Sequence, residues 1–205
     1  MSQRPRCSVF IAISLDGCIA RDDGSLDWLS VVEREGEDYG YRAFVDGVDA
    51  LVMGRKTYDT ALGFDEWPFA GKRCIVLTHA RPTSPRADEE FASGAPAALL
   101  EQLGRQGVSR VYVDGGAVIR QFLAAGLVDD LTLSVIPVIL GDGIRLFGDG
   151  VRLFGDGIRL FGGGIRLLDA DPRGRAPAAA LRLTSARNFE SGLVQLCYDV
   201  AGTLD

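Results

Sequence analysis

Twice in this chain a strand hands over to a helix through glycine, and that pattern restricts the fold more than any other feature. Asp49-Ala50-Leu51-Val52 reads as a short buried strand and Lys56 through Leu62 as the first turns of a helix, with Met53-Gly54-Arg55 between them. Glycine at such a junction lets a ligand approach the backbone closely. The free N–H groups of the helix start then face that ligand, and the helix dipole favours negative charge. Arg55, Lys56 and Thr57 add two cations and a hydroxyl at the same spot, a set that suits a phosphate. In isolation, an ordinary turn with solvated basic residues has the same appearance.

The second junction has the same form. Arg110-Val111-Tyr112-Val113 is a β-branched run ending in Asp114-Gly115-Gly116, and the apolar residues at 118, 119, 122 and 123 then follow helical spacing. Two such helix starts in one small domain could hold both ends of a pyrophosphate, whereas a Gly-Gly pair by itself only solves a tight turn.

Strands are expected near 7–14, 49–53, 73–78, 110–114, 131–139, 181–188 and 193–200, and helices near 28–46, 55–62, 96–106 and 116–125. Their alternation predicts an α/β domain with a mostly parallel sheet and helices on both faces. Glu190-Ser191-Gly192 between the last two strands reads as a hairpin turn, so the mixed sheet finishes antiparallel. A length of 205 residues fits one domain over 1–205 with a substantial core.

Charge and composition narrow the function. The chain carries 22 basic and 28 acidic residues, a net charge of −6, which gives no general attraction to nucleic acid or an anionic membrane. No apolar run approaches ~20 residues, so no membrane helix is expected. Met1-Ser2-Gln3-Arg4-Pro5-Arg6 leads straight into a strand without a secretory core. Cys7, Cys18, Cys74 and Cys197 show no C-x-x-C spacing, which fits a reducing, cytoplasmic setting. His79 is the sole histidine, which argues against a multi-histidine metal site and a serine–histidine triad.

Residues 141–168 form a tandem repeat. Gly141-Asp142-Gly143-Ile144-Arg145-Leu146-Phe147 recurs at 148, at 155 and, degenerately, at 162. Two glycines and an aspartate in each of the first three copies oppose a coiled coil despite the period, and G-x-G-x-x-G does not occur within the repeat. An odd period moves each successive copy to the opposite strand face. The simplest account is expansion of one ancestral turn by three copies, with Pro137 through Phe147 as the ancestral unit. Short Ile/Val-Arg-Leu-Phe strands between Gly-Asp-Gly turns, or a mobile arm, are the expected outcomes, and exposed apolar repeats make oligomer contacts a candidate role.

Ala12-Ile13-Ser14-Leu15-Asp16-Gly17-Cys18-Ile19-Ala20, the Met53–Tyr58 segment, Cys74-Ile75-Val76-Leu77-Thr78, Val113-Asp114-Gly115-Gly116 and the Leu131–Leu140 strand occur in dihydrofolate reductase order. The chain resembles the dihydrofolate reductase-like superfamily, closest to the riboflavin-biosynthesis reductase branch that includes the reductase half of the bifunctional deaminase-reductase. The resemblance covers residues 7 to about 147 and resumes at the C-terminal strands. It implies a reductase that takes hydride from NADPH and delivers it to a pyrimidine- or pteridine-like substrate of the 5-amino-6-ribosylamino-uracil phosphate class. True dihydrofolate reduction is the alternative within enzymes, and a non-catalytic NADPH-binding or self-associating protein the alternative outside them. A homodimer is also implied, although the chain itself displays no interface.

The same resemblance assigns residues. Ala12 and Ile19 would flank the nicotinamide. Gly54, Arg55, Lys56 and Thr57 would hold cofactor phosphates, with Arg55 favoured for the adenosine 2′-phosphate. Leu77 and Thr78 would bracket the adenosine, Arg81 would add a second cation, and Gly115, Gly116 and Ala117 would offer N–H groups to the pyrophosphate. Paired cations at Arg55 and Arg81 favour NADPH over NADH. Asp38 stands where dihydrofolate reductases carry their pterin-binding carboxylate, and Ser134 at the hydroxyl position beside it. A buried carboxylate there would have its pKa shifted upward for proton chemistry, whereas Glu33, Glu35 and Glu37 around Asp38 look like an exposed face. Asp16 and Asp114 read as backbone caps or turns.

The chain departs from the dihydrofolate reductase pattern in three places. Arg21–Trp28 lacks a Trp-x-x-Pro arrangement, Gly36 and Gly40 loosen the substrate helix, and Asp114 replaces an apolar residue before the glycine pair. The sequence offers no second complete phosphate cluster for a substrate phosphate, and Arg42 and Lys72 are candidates without a supporting motif.

Overall fold

Periodicity of apolar residues becomes a mixed sheet in the computed structural model, which describes residues 4–80, 86, 89–147 and 179–203. In chain order the strands are β1 (Arg6–Ser14), β2 (Cys18–Ala20), β3 (Ala50–Gly54), β4 (Arg73–Leu77), β5 (Glu89–Ala92), β6 (Arg110–Asp114), β7 (Asp130–Ile136), β8 (Ile144–Arg145), β9 (Ala179–Asn188) and β10 (Val194–Thr203). The α-helices are α1 (Tyr41–Asp46), α2 (Arg55–Leu62), α3 (Pro96–Arg105) and α4 (Gly116–Ala124). The main sheet runs β5-β4-β3-β6-β1-β7-β10-β9, and β2 pairs with β8.

Two compact units share this chain: Met1–Phe10 with Asp38–Asp129, and Ile11–Glu37 with Asp130–Asp205. In the first, β5-β4-β3-β6-β1 pair in parallel. Leu51, Val52, Met53, Ile75, Val76, Val111 and Val113 are almost fully buried, as continuous apolar runs covered on both faces should be. In the second, β10 pairs antiparallel with both β7 and β9, closing through the hairpin turn that Glu190-Ser191-Gly192 predicted.

Residues 28–46 do not form one helix. A 3-10 helix covers Asp27–Val32, and α1 begins only at Tyr41. Gly36, Tyr39 and Gly40 all adopt positive φ between them, a conformation that stops right-handed helix. The strand expected over 131–139 ends at Ile136, because Pro137 cannot donate to a ladder. The two-residue β8 falls within the first Ile-Arg-Leu-Phe stretch, where a short strand between Gly-Asp-Gly turns is one of the expected outcomes. Strands β2 and β5 were not anticipated, having three and four residues, too few for alternation to register. Of the repeat, copy one is described, while the copies from 148 onward lie outside the described residues. Among the described residues no helix is long and apolar enough to cross a membrane.

Candidate active site

Side-chain alternation along β3 and β6 sets the geometry. Leu51, Met53 and Tyr112 share a buried cluster with Tyr58 and Ala61 of α2, so α2 covers that face. Gly54 lies on the other face, where an added Cβ would stand 3.3 Å from Val118 Cγ2 of α4. The two helices therefore cover opposite faces, and their N-termini converge over the carboxyl ends of β3 and β6, where Met53 is registered with Asp114. From β3 the chain proceeds outward to β4 and β5, then returns to β6 on the other side. Ligands in open α/β sheets bind at such a reversal of strand order.

Contact between the two helix starts is intimate. Gly115 has φ +86°, and an added Cβ would fall far inside van der Waals contact distance of Thr57 Oγ1. Only glycine meets both conditions. Neither α2 nor α4 has a side-chain cap, so their first-turn amides point outward without a side-chain acceptor. Gly116 is buried and Ala117 exposed, with Gly54, Thr57 and Gly115 half-buried between them. Leu77 is registered with Gly54, and the Thr78 N–H donates to Ala92 O (2.9 Å), so both belong to the same strand-end rim.

Charge on the rim comes from Arg55 and Lys56. The Arg55 guanidinium donates to Asp59 Oδ1 at 2.7 Å across one helical turn and lies 6.0 Å from the Tyr58 ring centroid. Both members of that pair are well exposed, so the bridge contributes little and is readily exchanged for a phosphate. Arg81 lies outside the described residues.

Asp114 is the unusual acid of this unit. It ends β6 on the Tyr112 face, and its carboxyl is pushed up to about 6 by burial, against the opposing Gly115 N–H and Tyr112 contacts. The Gly115 N–H donates to its Oδ1 at 2.7 Å. Burial and the Asp114 charge also raise the phenols of Tyr41 and Tyr112, and Tyr112 donates to Phe10 O at 2.9 Å. Spacing pointed to a turn residue at Asp114 and does not convey desolvation. The i, i+2 relation within a strand could have flagged Tyr112; no local signal marks Tyr41.

The remaining assigned residues take other places. Asp38 is exposed, and its two oxygens accept the Gly40 N–H (2.9 Å) and the Arg42 N–H (3.1 Å). Those bonds hold its carboxyl below the ordinary value, which overturns the expectation of a buried carboxylate with raised pKa. Lys72 donates from Nζ to Asp46 O and Val48 O (3.1 and 2.9 Å), so it closes the end of α1. In the second unit, Ser134 is buried and accepts Gln195 Nε2 at 3.2 Å, while Ala12 and Ile19 are half-buried in β1 and β2. Asp16, also there, acts as the backbone cap that was expected: its carboxylate accepts the Leu140 and Gly141 N–H groups.

A family model described as the RibD C-terminal domain matches residues 5–167. The chain belongs to this family. Its fold, like that of other RibD C-terminal domain proteins, is dihydrofolate reductase-like. A crystal structure from Shewanella sp. PV-4, provisionally named a riboflavin biosynthesis protein, is 30% identical with a TM-score of 0.77, covering 95% of this chain and 98% of that one. The uncharacterised protein YwjB of Bacillus subtilis is 36% identical over 141 residues, 68% of this chain and 80% of YwjB. Dihydrofolate reductase HdrB of Haloferax volcanii is 32% identical over 125 residues, 58% of this chain and 62% of HdrB.

Proposed function

We propose that this protein is an NADPH-dependent reductase acting on a pyrimidine- or pteridine-like substrate of the riboflavin-pathway reductase type. The observation that carries this reading is the convergence of two uncapped, glycine-opened helix starts at the strand-order reversal, with Thr57 packed against Gly115. That cradle, which a single Cβ would fill, fits a pyrophosphate. When bound, the nicotinamide supplies the hydride. Thr57, Gly116 and Ala117 hold the phosphates through a hydroxyl and backbone amides, while Gly54 and Gly115, whose N–H serves Asp114 Oδ1, let them approach the backbone. Arg55 and Lys56 neutralise them, and Arg55 leaves Asp59 to meet the 2′-phosphate. Leu77 and Thr78 line the adenosine side, and Ala12 and Ile19 flank the nicotinamide. Asp114, whose carboxyl keeps its proton up to about pH 6, hydrogen-bonds the heterocycle at Oδ2 and holds a proton there.

Calorimetric titration with NADPH, NADH and the Arg55→Ala variant tests this reading. NADPH is expected to bind tightly and to lose roughly 1.5–3 kcal/mol on loss of Arg55, as for a charge-assisted hydrogen bond, with NADH little changed. Failure of both cofactors to bind would leave a shared fold without a shared activity. The likeness to HdrB favours a second reading, dihydrofolate reduction. Dihydrofolate turnover would select it, and NADPH binding without turnover of ribosylamino-pyrimidines or folates would select a non-catalytic protein.

A further inference from the structure

The first heptad copy occupies a built seat within the second unit. The buried Asp16 carboxylate accepts Ser14 Oγ (2.6 Å), the Leu140 N–H (3.1 Å) and the Gly141 N–H (2.9 Å). The Arg145 guanidinium donates back to Asp16 O at 2.6 Å, and the Leu146 N–H donates to Gly17 O at 3.0 Å. Gly143 has φ +153°, and a Cβ there would stand 2.5 Å from Ala20 O and 3.3 Å from Cys18 Sγ. Ile144 and Arg145 pair with Ala20 and Cys18, and Leu146 and Phe147 are buried. The seat thus reads Gly-x-Gly-Ile-Arg-Leu-Phe and ignores the second position, since Asp142 is exposed.

Every residue that the seat reads recurs at the equivalent positions from Gly148 and Gly155, with Val151 the one conservative change among them. The last copy keeps its glycines at 162 and 164, has Gly163 at the ignored position and ends in Leu168. The amides before each copy belong to Leu140, Phe147, Phe154 and Phe161, and a backbone N–H serves Asp16 whatever side chain it bears.

We propose that the Asp16–Ala20 seat is degenerate in register: it binds the second copy, Gly148–Phe154, in place of the first when the first is blocked. The first copy holds it in the unmodified chain because only residues 137–140 separate it from the end of β7, and a short connection closes at the smallest entropic cost. The repeat is then a set of spare ligands for one internal site. This inference does not depend on the reductase reading.

The test uses glycine-to-valine variants of the full chain, because Val at the third heptad position collides with Ala20 O in a backbone conformation that valine resists. Gly143→Val alone is expected to lower the melting temperature by less than about 5 °C, and the Gly143→Val, Gly150→Val, Gly157→Val, Gly164→Val quadruple variant by more than about 10 °C. The triple variant that keeps Gly143 should melt like the unmodified protein. Hydrogen exchange on Gly143→Val should show protection leaving 141–147 and appearing in 148–154. Equal loss of stability in the single and quadruple variants, or no gain of protection at 148–154, overturns the proposal.

Discussion

The two ends of the parallel strands in the first unit are finished in opposite ways. At the amino ends side chains close the backbone. Asp49 accepts the Ser109 and Arg110 N–H groups (2.8 and 2.9 Å), Asp129 accepts Arg4 and the Cys7 N–H, and Lys72 covers the carbonyls of Asp46 and Val48. At the carboxyl ends glycines stand where caps would be, and the first-turn amides of α2 and α4 have no side-chain cap. Satisfied groups stabilise a fold, whereas open ones cost stability and gain function. Under the proposed function, the contrast separates the part of the sheet that holds the molecule together from the part that binds the cofactor.

Substitutions at each end should act on different observables. The largest effect is expected from Gly115→Ala: a Cβ driven against Thr57 Oγ1 should lower NADPH affinity more than about 100-fold and destabilise by about 2–4 kcal/mol, measured by calorimetry and denaturant unfolding. Asp49→Ala leaves two amides to solvent and should cost about 1–2 kcal/mol with NADPH affinity unchanged. A matching loss of affinity would erase the distinction between the ends.

Asp114→Asn comes next. The folded pKa of about 6 lies above the ordinary 3.8, so the folded state binds the extra proton and Asp114 favours folding at low pH. That contribution is complete below about pH 4 and is lost as pH rises through 6. Discounted because Asp114 as a residue is only half-buried, it amounts to roughly 1–2 kcal/mol. The Asn variant should flatten the unfolding free energy between pH 4 and 6 by that amount. Smallest is Asp59→Ala, which removes an exposed partner of Arg55. It should change stability by less than about 0.5 kcal/mol while NADPH binding stays equal or tightens.

Most of the strand and helix order was legible because it rests on local periodicity. The α2 helix was anticipated at 55–62, where it lies, and the strand-to-glycine junctions at 54 and 115 were visible as residue types. Asp38 misled because its distance from Gly54 carries no information about burial, and the left-handed residues around it turn the chain into a capped surface turn. Lys72 misled similarly, as a cation whose partners are carbonyls of a preceding helix end.

The sequence by itself determined the alternation of elements, the two open helix starts and the repeat, since each depends on neighbours a few positions away. Only the tertiary structure decided that Thr57 meets Gly115, that Asp114 is desolvated beside Tyr112 and Tyr41, and that the first heptad is seated on Asp16. Those outcomes depend on which strands pair and which faces are covered, and burial and electrostatics take their values from partners distant along the chain.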